Sequence, residues 1–118
     1  MENSILKEAE ESLKFWQDEL KLSDWDLSIE LTDFNRTDYI QTGDFRVEKG
    51  NKAVILISKT PTDKEIHQVV LHEIIHILLW ELDSYCEQKI GIENKKEYLT
   101  LLEATVDTLV KRFDKQKI

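Results

Sequence analysis

Two histidines and a glutamate stand close together in the segment His72-Glu73-Ile74-Ile75-His76. If this segment is helical, His72 and His76 lie one turn apart on the same face, where both imidazoles can bind one Zn²⁺ ion. Glu73 lies about 100° further round the helix, beside the metal instead of on it. There its carboxylate can take a proton from a water molecule that the metal activates. The segment therefore predicts a zinc site with a general base next to it.

The surroundings of this segment favour a metal site over two ordinary core histidines. The flanking apolar residues are Val69, Val70, Ile74, Ile75, Ile77, Leu78 and Leu79. A helix that is buried nearly all round must satisfy its polar side chains, and metal binding does so for His72, Glu73 and His76 together. Hydrogen bonds within the core are the alternative.

A catalytic zinc ion usually has three protein ligands and one water, so a third ligand is needed. His67 lies about 140° from His72 and about 180° from His76 around a helix, so it cannot share their face. We predict that it contacts solvent or the sheet. Glu103 stands in an apolar helical segment where an unpaired charge would be costly, and Asp107 follows one turn later.

We therefore predict Glu103 as the third zinc ligand and Asp107 as the hydrogen-bond partner of a ligating histidine ring. The alternative is that both are ordinary acids on a solvated helix. Other carboxylates follow the motif but lie too far along its helix or in polar segments. They are Glu81, Asp83, Glu87, Glu93 and Glu97.

The segment HEIIH with the later Glu103-Ala104-Thr105-Val106-Asp107 resembles the gluzincin metallopeptidases, whose signature is HExxH with a downstream ExxxD. The resemblance covers residues 52–113, roughly half of the chain. The small size also resembles the minimal phage and bacterial zinc peptidases related to those that cleave repressors. The resemblance implies a minimal zincin fold.

The resemblance also implies roles for individual residues. It implies that His72, His76 and Glu103 bind Zn²⁺. Glu73 would act as general base and then as general acid, and Asp107 would orient a ligating histidine. These implied roles agree with the interpretation of the residues themselves.

The resemblance further implies that the strand Ala53 to Ile57 borders the cleft and offers an exposed edge to an extended substrate. Larger members stabilise the oxyanion with a His, Tyr or Arg from a second subdomain, which this chain lacks. Tyr39, Arg46, Tyr85 and Tyr98 are possible substitutes, but a packing or surface role is the preferred interpretation of each.

The periodicity of the apolar residues changes early in the chain. Apolar residues three or four apart predict an amphipathic helix from Glu2 to about Leu22. Trp25 to Leu31 then alternates apolar and polar residues, which predicts a half-buried strand.

A β-hairpin is predicted next. Tyr39 to Val47 and Ala53 to Ile57 form its strands, with turn residues in Glu48-Lys49-Gly50-Asn51. Gly43 within the first strand indicates a bulge or a close backbone approach, although a glycine without a special role is an equal alternative.

Helices complete the predicted α+β order. Thr60-Pro61-Thr62-Asp63-Lys64-Glu65 has the composition of a helix start, and the motif helix should run from there to about Leu82. A short turn or helix follows over Asp83 to Ile90. A last helix, capped at Asn94, turns its apolar face inward as far as Phe113.

Composition limits the class of protein. A chain of 118 residues with 41% hydrophobic residues predicts one domain, residues 1–118. The net charge of −8 disfavours direct nucleic-acid binding. The apolar run Ile74 to Trp80 is far shorter than the roughly 20 residues that span a bilayer, and no signal peptide is evident. A single cysteine, Cys86, excludes an intramolecular disulfide and favours the cytoplasm.

The sequence hypothesis is a zinc metallopeptidase that acts on a protein or peptide substrate. Two alternatives stay open. One is a helical module, zinc-stabilised or metal-free, that uses its acidic surface to hold a protein partner without catalysis. The other is a zinc hydrolase of a non-peptide amide or ester, because metal-activated water serves those bonds as well.

Overall fold

The computed structural model describes residues 2–60 and 62–114, and within these residues it confirms the predicted α+β fold. Four helices accompany one three-stranded sheet in this part of the chain. The elements are α1 (Glu2–Glu19), β1 (Asp26–Thr32), β2 (Gly43–Glu48), β3 (Lys52–Ser58), α2 (Ile66–Leu78), α3 (Trp80–Lys89) and α4 (Ile92–Asp114).

The sheet has the strand order β1-β3-β2, with β3 parallel to β1 and antiparallel to β2. The expectation that β3 offers an exposed edge is therefore wrong, because β3 pairs on both sides. Its run of five apolar residues, Ala53 to Ile57, is typical of a strand enclosed on both sides. Among the described residues, the edge beside the motif helix is that of β2.

The predicted hairpin of β2 and β3 is confirmed, but its first strand is shorter than expected. It begins at Gly43, and residues 39–42 are not part of the strand. The turn depends on Gly50 and Asn51, which have φ values of 76° and 56°. Glycine and asparagine are the residues that best tolerate this left-handed conformation.

The core lies between the helices and one face of the sheet. Side chains at alternate positions of β3 point into it, and Ala53, Ile55 and Ile57 are buried there. Helix α1 contributes Ala9 and Trp16 to the same cluster. Helix α1 ends at Glu19 instead of Leu22, because the chain turns at Lys21, where φ is 56°.

The motif helix is shorter than predicted at both ends. Helix α2 begins after Glu65 and ends at Leu78, and α3 starts separately at Trp80. The predicted helix start within residues 60–65 is wrong, because Glu65 is the residue that precedes the first turn of α2. Pro61 lies outside the described residues. Helix α4 likewise begins at Ile92, before the predicted cap at Asn94.

Helices α2 and α4 pack against each other and carry the residues predicted to bind metal. Within residues 2–60 and 62–114, no helix is long and apolar enough to cross a lipid bilayer.

Candidate metal centre

Helix α2 presents His72 and His76 together on the face that contacts α4. Their ring centroids are 4.9 Å apart, as expected for residues one turn apart. The other faces of α2 are occupied by buried residues: Val69, Val70, Leu71, Ile74, Ile75 and Ile77. Burial of these side chains fixes the rotation of the helix, so both imidazoles are held toward the cleft.

Glu103 of α4 reaches both histidines, as predicted. Its Oε1 lies 2.9 Å from His76 Nε2, and its Oε2 lies 3.4 Å from His72 Nε2. The physical reason for the prediction was wrong, however, because the Glu103 side chain is 53% exposed. It lies at the margin of the contact between α2 and α4. There the carboxylate can face the histidines while it stays in contact with solvent, so its desolvation costs little.

These three side chains fit the requirements of a zinc ion. One ligand atom from each of His72, His76 and Glu103 lies within 4.8 Å of the others. Ligands at about 2.0–2.2 Å from a tetrahedral zinc ion are themselves separated by about 3.4 Å. The observed separations of 2.9 and 3.4 Å are close to that value. Small side-chain movements would therefore create the site.

Electrostatics also favour a metal at this position. Burial lowers the pKa of His72, and repulsion from His76 lowers it further, while Glu103 and Asp107 raise it. The net shift is downward, which favours the neutral imidazole that metal ions bind. Asp107 Oδ1 lies 3.4 Å from His72 Nδ1. This is the predicted arrangement, in which one ring nitrogen is available to a metal while the other faces a carboxylate.

Glu73 lies beside the three converging side chains and is only 6% exposed. Burial raises its pKa to about 8, and the negative charges of Asp44 and Glu103 act in the same direction. A divalent cation bound nearby would oppose this shift by stabilising the carboxylate. The side chain therefore has the environment of a group that exchanges a proton near neutral pH.

Comparison with protein-family models, curated proteins and solved structures finds no match to this chain. The resemblance to gluzincins therefore depends on the HExxH and ExxxD residues and on the geometry that brings them together. Two imidazoles and one carboxylate form a donor set typical of catalytic zinc. The same donor set with a buried glutamate beside it is suited to hydrolysis by activated water.

His67 lies on another side of α2 from His72 and His76, as predicted, and its side chain is 19% exposed. Its ring packs against Trp16 and Phe15 of α1, at centroid distances of 4.8 and 5.5 Å, a contact that was not predicted. Its Nδ1 lies 3.0 Å from the hydroxyl of Ser12. His67 thus joins α1 to α2, and it lies outside the cluster of possible metal ligands.

Two aromatic residues beside the site, Phe45 on β2 and Trp80 at the start of α3, had no functional prediction. Phe45 stacks on the His76 ring at a centroid distance of 5.4 Å and an interplanar angle of 14°. Trp80 meets the edge of Phe45, at 5.9 Å and 85°. Phe45 therefore holds one candidate ligand in place. The alternation along β2 could have indicated this, since Gly43 and Phe45 share the face that points to α2.

A cleft of about 810 Å³ opens over these residues. Its walls come from β2 and the segment before it, from α2, and from α4. Of the four side chains considered for oxyanion stabilisation, only Tyr39 lines this cleft. Tyr98 instead donates a hydrogen bond to Asp83, and Arg46 pairs with Glu48.

The close approach predicted at Gly43 is confirmed. A Cβ atom at this position would lie 2.6 Å from Val69 Cγ1 and 3.1 Å from Glu73 Oε2. We expect Gly43→Ala to destabilise the protein by about 1–3 kcal/mol, because the added methyl overpacks this contact. It should also lower activity by displacing the Glu73 carboxylate. Denaturant unfolding and turnover rates measure the two effects.

Gly91→Ala is the matched control for this substitution. There the added Cβ would meet only the end of the exposed Glu93 side chain, which can move away. A Gly43→Ala protein that is as stable and active as Gly91→Ala would contradict the proposed contact.

Proposed function

We propose that this protein is a zinc-dependent metallopeptidase. The observation that carries the proposal is the convergence of His72, His76 and Glu103 in a cleft, with the buried Glu73 beside them. A purely structural zinc site has no need of a buried carboxylate next to its ligands. The donor set and the neighbouring base together favour hydrolysis.

In this proposal each residue has its own role. His72, His76 and Glu103 hold the zinc ion, which lowers the pKa of water and polarises a carbonyl group when bound. Glu73 accepts a proton from the attacking water and passes it to the leaving amine. Asp107 and Phe45 keep the two imidazoles in their orientations, Asp107 through His72 and Phe45 through His76.

The substrate is proposed to be a protein or peptide that lies along β2. Gly43, Asp44 and Phe45 line the cleft, and in the described part of the chain β2 has a strand partner on one side only. An extended peptide can form backbone hydrogen bonds with such an edge. We therefore propose β2, and not β3, as the strand that binds the substrate. We expect the reaction to take place in the cytoplasm and to involve neither nucleic acid nor membrane.

Metal removal tests this proposal. The purified protein should contain about one zinc ion per chain, as metal sites of this composition do. It should hydrolyse denatured proteins, lose this activity on chelation, and regain it when zinc is returned. Metal content and peptide cleavage, followed by mass spectrometry, are the measurements.

The other outcomes identify the rival functions. Full zinc occupancy with no hydrolysis of any peptide, amide or ester would indicate a non-catalytic binding module. Hydrolysis of small amides or esters without cleavage of any peptide would indicate a different zinc hydrolase. A protein that binds no zinc would reject both hydrolases and leave only the metal-free module.

A further inference from the structure

The cleft over the candidate metal ligands, here called the metal cleft, has two different ends, because α2 and α4 run in opposite directions. At the metal position, Glu103 Oε1 lies 2.9 Å from His76 Nε2. About two turns earlier on α2, Gln68 donates a hydrogen bond of 2.9 Å to Asp114, which lies about three turns later on α4. The beginning of α2 therefore lies beside the end of α4.

Strand β2 runs along the metal cleft in the same direction as α2. A Cβ atom at Gly43 would lie 2.6 Å from Val69 Cγ1, near the beginning of α2. Phe45, two residues later, stacks on His76 near the end of the same helix. The first residue of β2 and residues 39–42, which also line the cleft, thus lie toward the beginning of α2.

This end of the metal cleft is basic, and we call it the basic end. Its lining comprises Lys64, Gln68, Lys111 and residues 39–42, and none of these is an acid. Lys64 immediately precedes α2 and Lys111 belongs to the last turn of α4, and both are exposed. Within residues 2–60 and 62–114, neither ammonium group forms an ion pair. The adjacent Asp114 accepts the hydrogen bond from Gln68 and does not line the cleft.

The carboxylates of the metal cleft lie at the metal position instead of at the basic end. They all lie level with His72 or beyond it: Asp44, Glu73, Glu103 and Asp107. The nearest to Lys111 along α4 is Asp107, one turn away, and its Oδ1 lies 3.4 Å from His72 Nδ1. A divalent cation at the metal position would offset the charge of these acids. The two free ammonium groups thus favour an anion at the basic end, although the chain has a net charge of −8.

The direction of β2 predicts which part of a peptide reaches the basic end. Antiparallel pairing is the more stable and the more common arrangement of two strands. Because β2 begins at the basic end, an antiparallel substrate has its carboxyl-terminal part there. Lys111 lies about 12 Å along α4 from Glu103, and an extended chain advances about 3.3 Å per residue. A group that meets the ammonium groups is therefore about two to four residues beyond the cleaved bond.

We propose that the basic end binds a carboxylate of the substrate, which lies about two to four residues after the cleaved bond. Lys64 and Lys111 recognise it by charge, and its source is an acidic side chain or the free carboxyl end of the peptide. This inference rests on the proposed peptidase function and adds a specificity to it.

Matched peptides test the inference. Two peptides with amidated ends differ only in Glu or Gln at one position, which is moved through the second, third and fourth residues after the cleaved bond. We expect one Glu peptide to be cleaved with about fivefold higher kcat/KM, chiefly through a lower KM, because two exposed ion pairs each contribute modestly. The preference should shrink as the salt concentration rises. A third pair has no acidic side chain and ends at the same position in a carboxylate or an amide. Preference for Glu assigns the site to a side chain, and preference for the free carboxylate assigns it to the chain end.

Charge reversal shows whether the two lysines cause the preference. Lys111→Glu should lower the ratio of rates for the preferred carboxylate and its neutral partner to about one, and should favour a peptide with Lys at that position. Lys64→Glu provides a second test. Lys14→Glu is the matched control, because Lys14 is exposed on α1, lies outside the metal cleft, and changes the net charge equally. This variant should keep the native preference.

Direct binding gives a readout independent of turnover. The preferred peptide, labelled with a fluorophore, should bind to the Glu73→Gln protein about fivefold more tightly than its neutral partner, and Lys111→Glu in the same background should remove the difference. Equal cleavage of all matched peptides would overturn the inference and leave the peptidase proposal intact. Loss of the preference in Lys14→Glu as large as in Lys111→Glu would overturn it as well, because net charge would then be the cause. Cleavage of no peptide would reject both proposals.

Discussion

Glu73→Gln is expected to retain about one zinc ion per chain while hydrolysing peptides about 10²–10⁴-fold more slowly than the native protein. Glu73 is not one of the three side chains that converge on the candidate metal position, so its replacement leaves the donor set complete. Glutamine has nearly the same size and fits the buried space against Gly43. It cannot accept the proton of the attacking water. We therefore expect a lower rate of the chemical step and no change in zinc binding.

The measurements are the zinc content and the initial rate on the same preparation. Glu81→Gln is the matched control, because Glu81 is an exposed glutamate of α3 outside the cleft. The control should have native zinc content and native activity. If Glu73→Gln cleaves peptides at the native rate, Glu73 is not the base, and the peptidase mechanism proposed for this site is wrong.

The order of helices and strands was predictable because it depends on local periodicity. A three-to-four residue period marks α1, α2 and α4, a period of two marks β1 and β2, and a continuous apolar run marks β3. The relative positions of the HExxH side chains were predictable for the same reason. Once the segment is helical, its geometry alone places His72 and His76 on one face and Glu73 beside them.

The strand order was not read from the sequence, although a signal was present. Strand β3 reads as an unbroken apolar run, whereas β2 alternates. An unbroken run indicates a central strand, so β2 could have been identified as the edge strand. The start of β2 at Gly43 is harder to predict, because it depends on the approach of Val69 and Glu73 from another element.

The position of Glu103 beside the histidines was predicted from an incorrect estimate of its burial. Its apolar neighbours in the sequence suggested a buried helix, yet Leu101 and the Glu103 side chain are exposed. Helix periodicity shows which residues share a face, but not how far the partner helix extends along it. The length of the contact between two helices depends on the tertiary structure. The same length explains why Leu99 and Ile92 are exposed.

Glu103→Ala is expected to weaken zinc binding by more than the roughly 10–100-fold lost when a metal ligand loses its hydrogen-bond partner. Activity should fall in proportion to zinc occupancy and recover in part at high zinc concentration. Because the Glu103 side chain is 53% exposed, its removal should change the stability of the metal-free protein by less than about 1 kcal/mol. Zinc titration against a competing chelator, with thermal unfolding of the metal-free form, separates the two quantities.

Two further variants on α4 make this result specific. Asp107→Asn should weaken zinc binding less than Glu103→Ala, because Asp107 faces only the distal nitrogen of His72. Glu97→Ala should have no effect, since Glu97 is exposed and lies outside the metal cleft. The expected effects fall in the order Glu103, Asp107, Glu97, because Glu103 faces both histidines, Asp107 faces one, and Glu97 lies outside the cleft. Native zinc affinity in Glu103→Ala would mean that another group completes the site, and the two-helix metal centre would have to be abandoned.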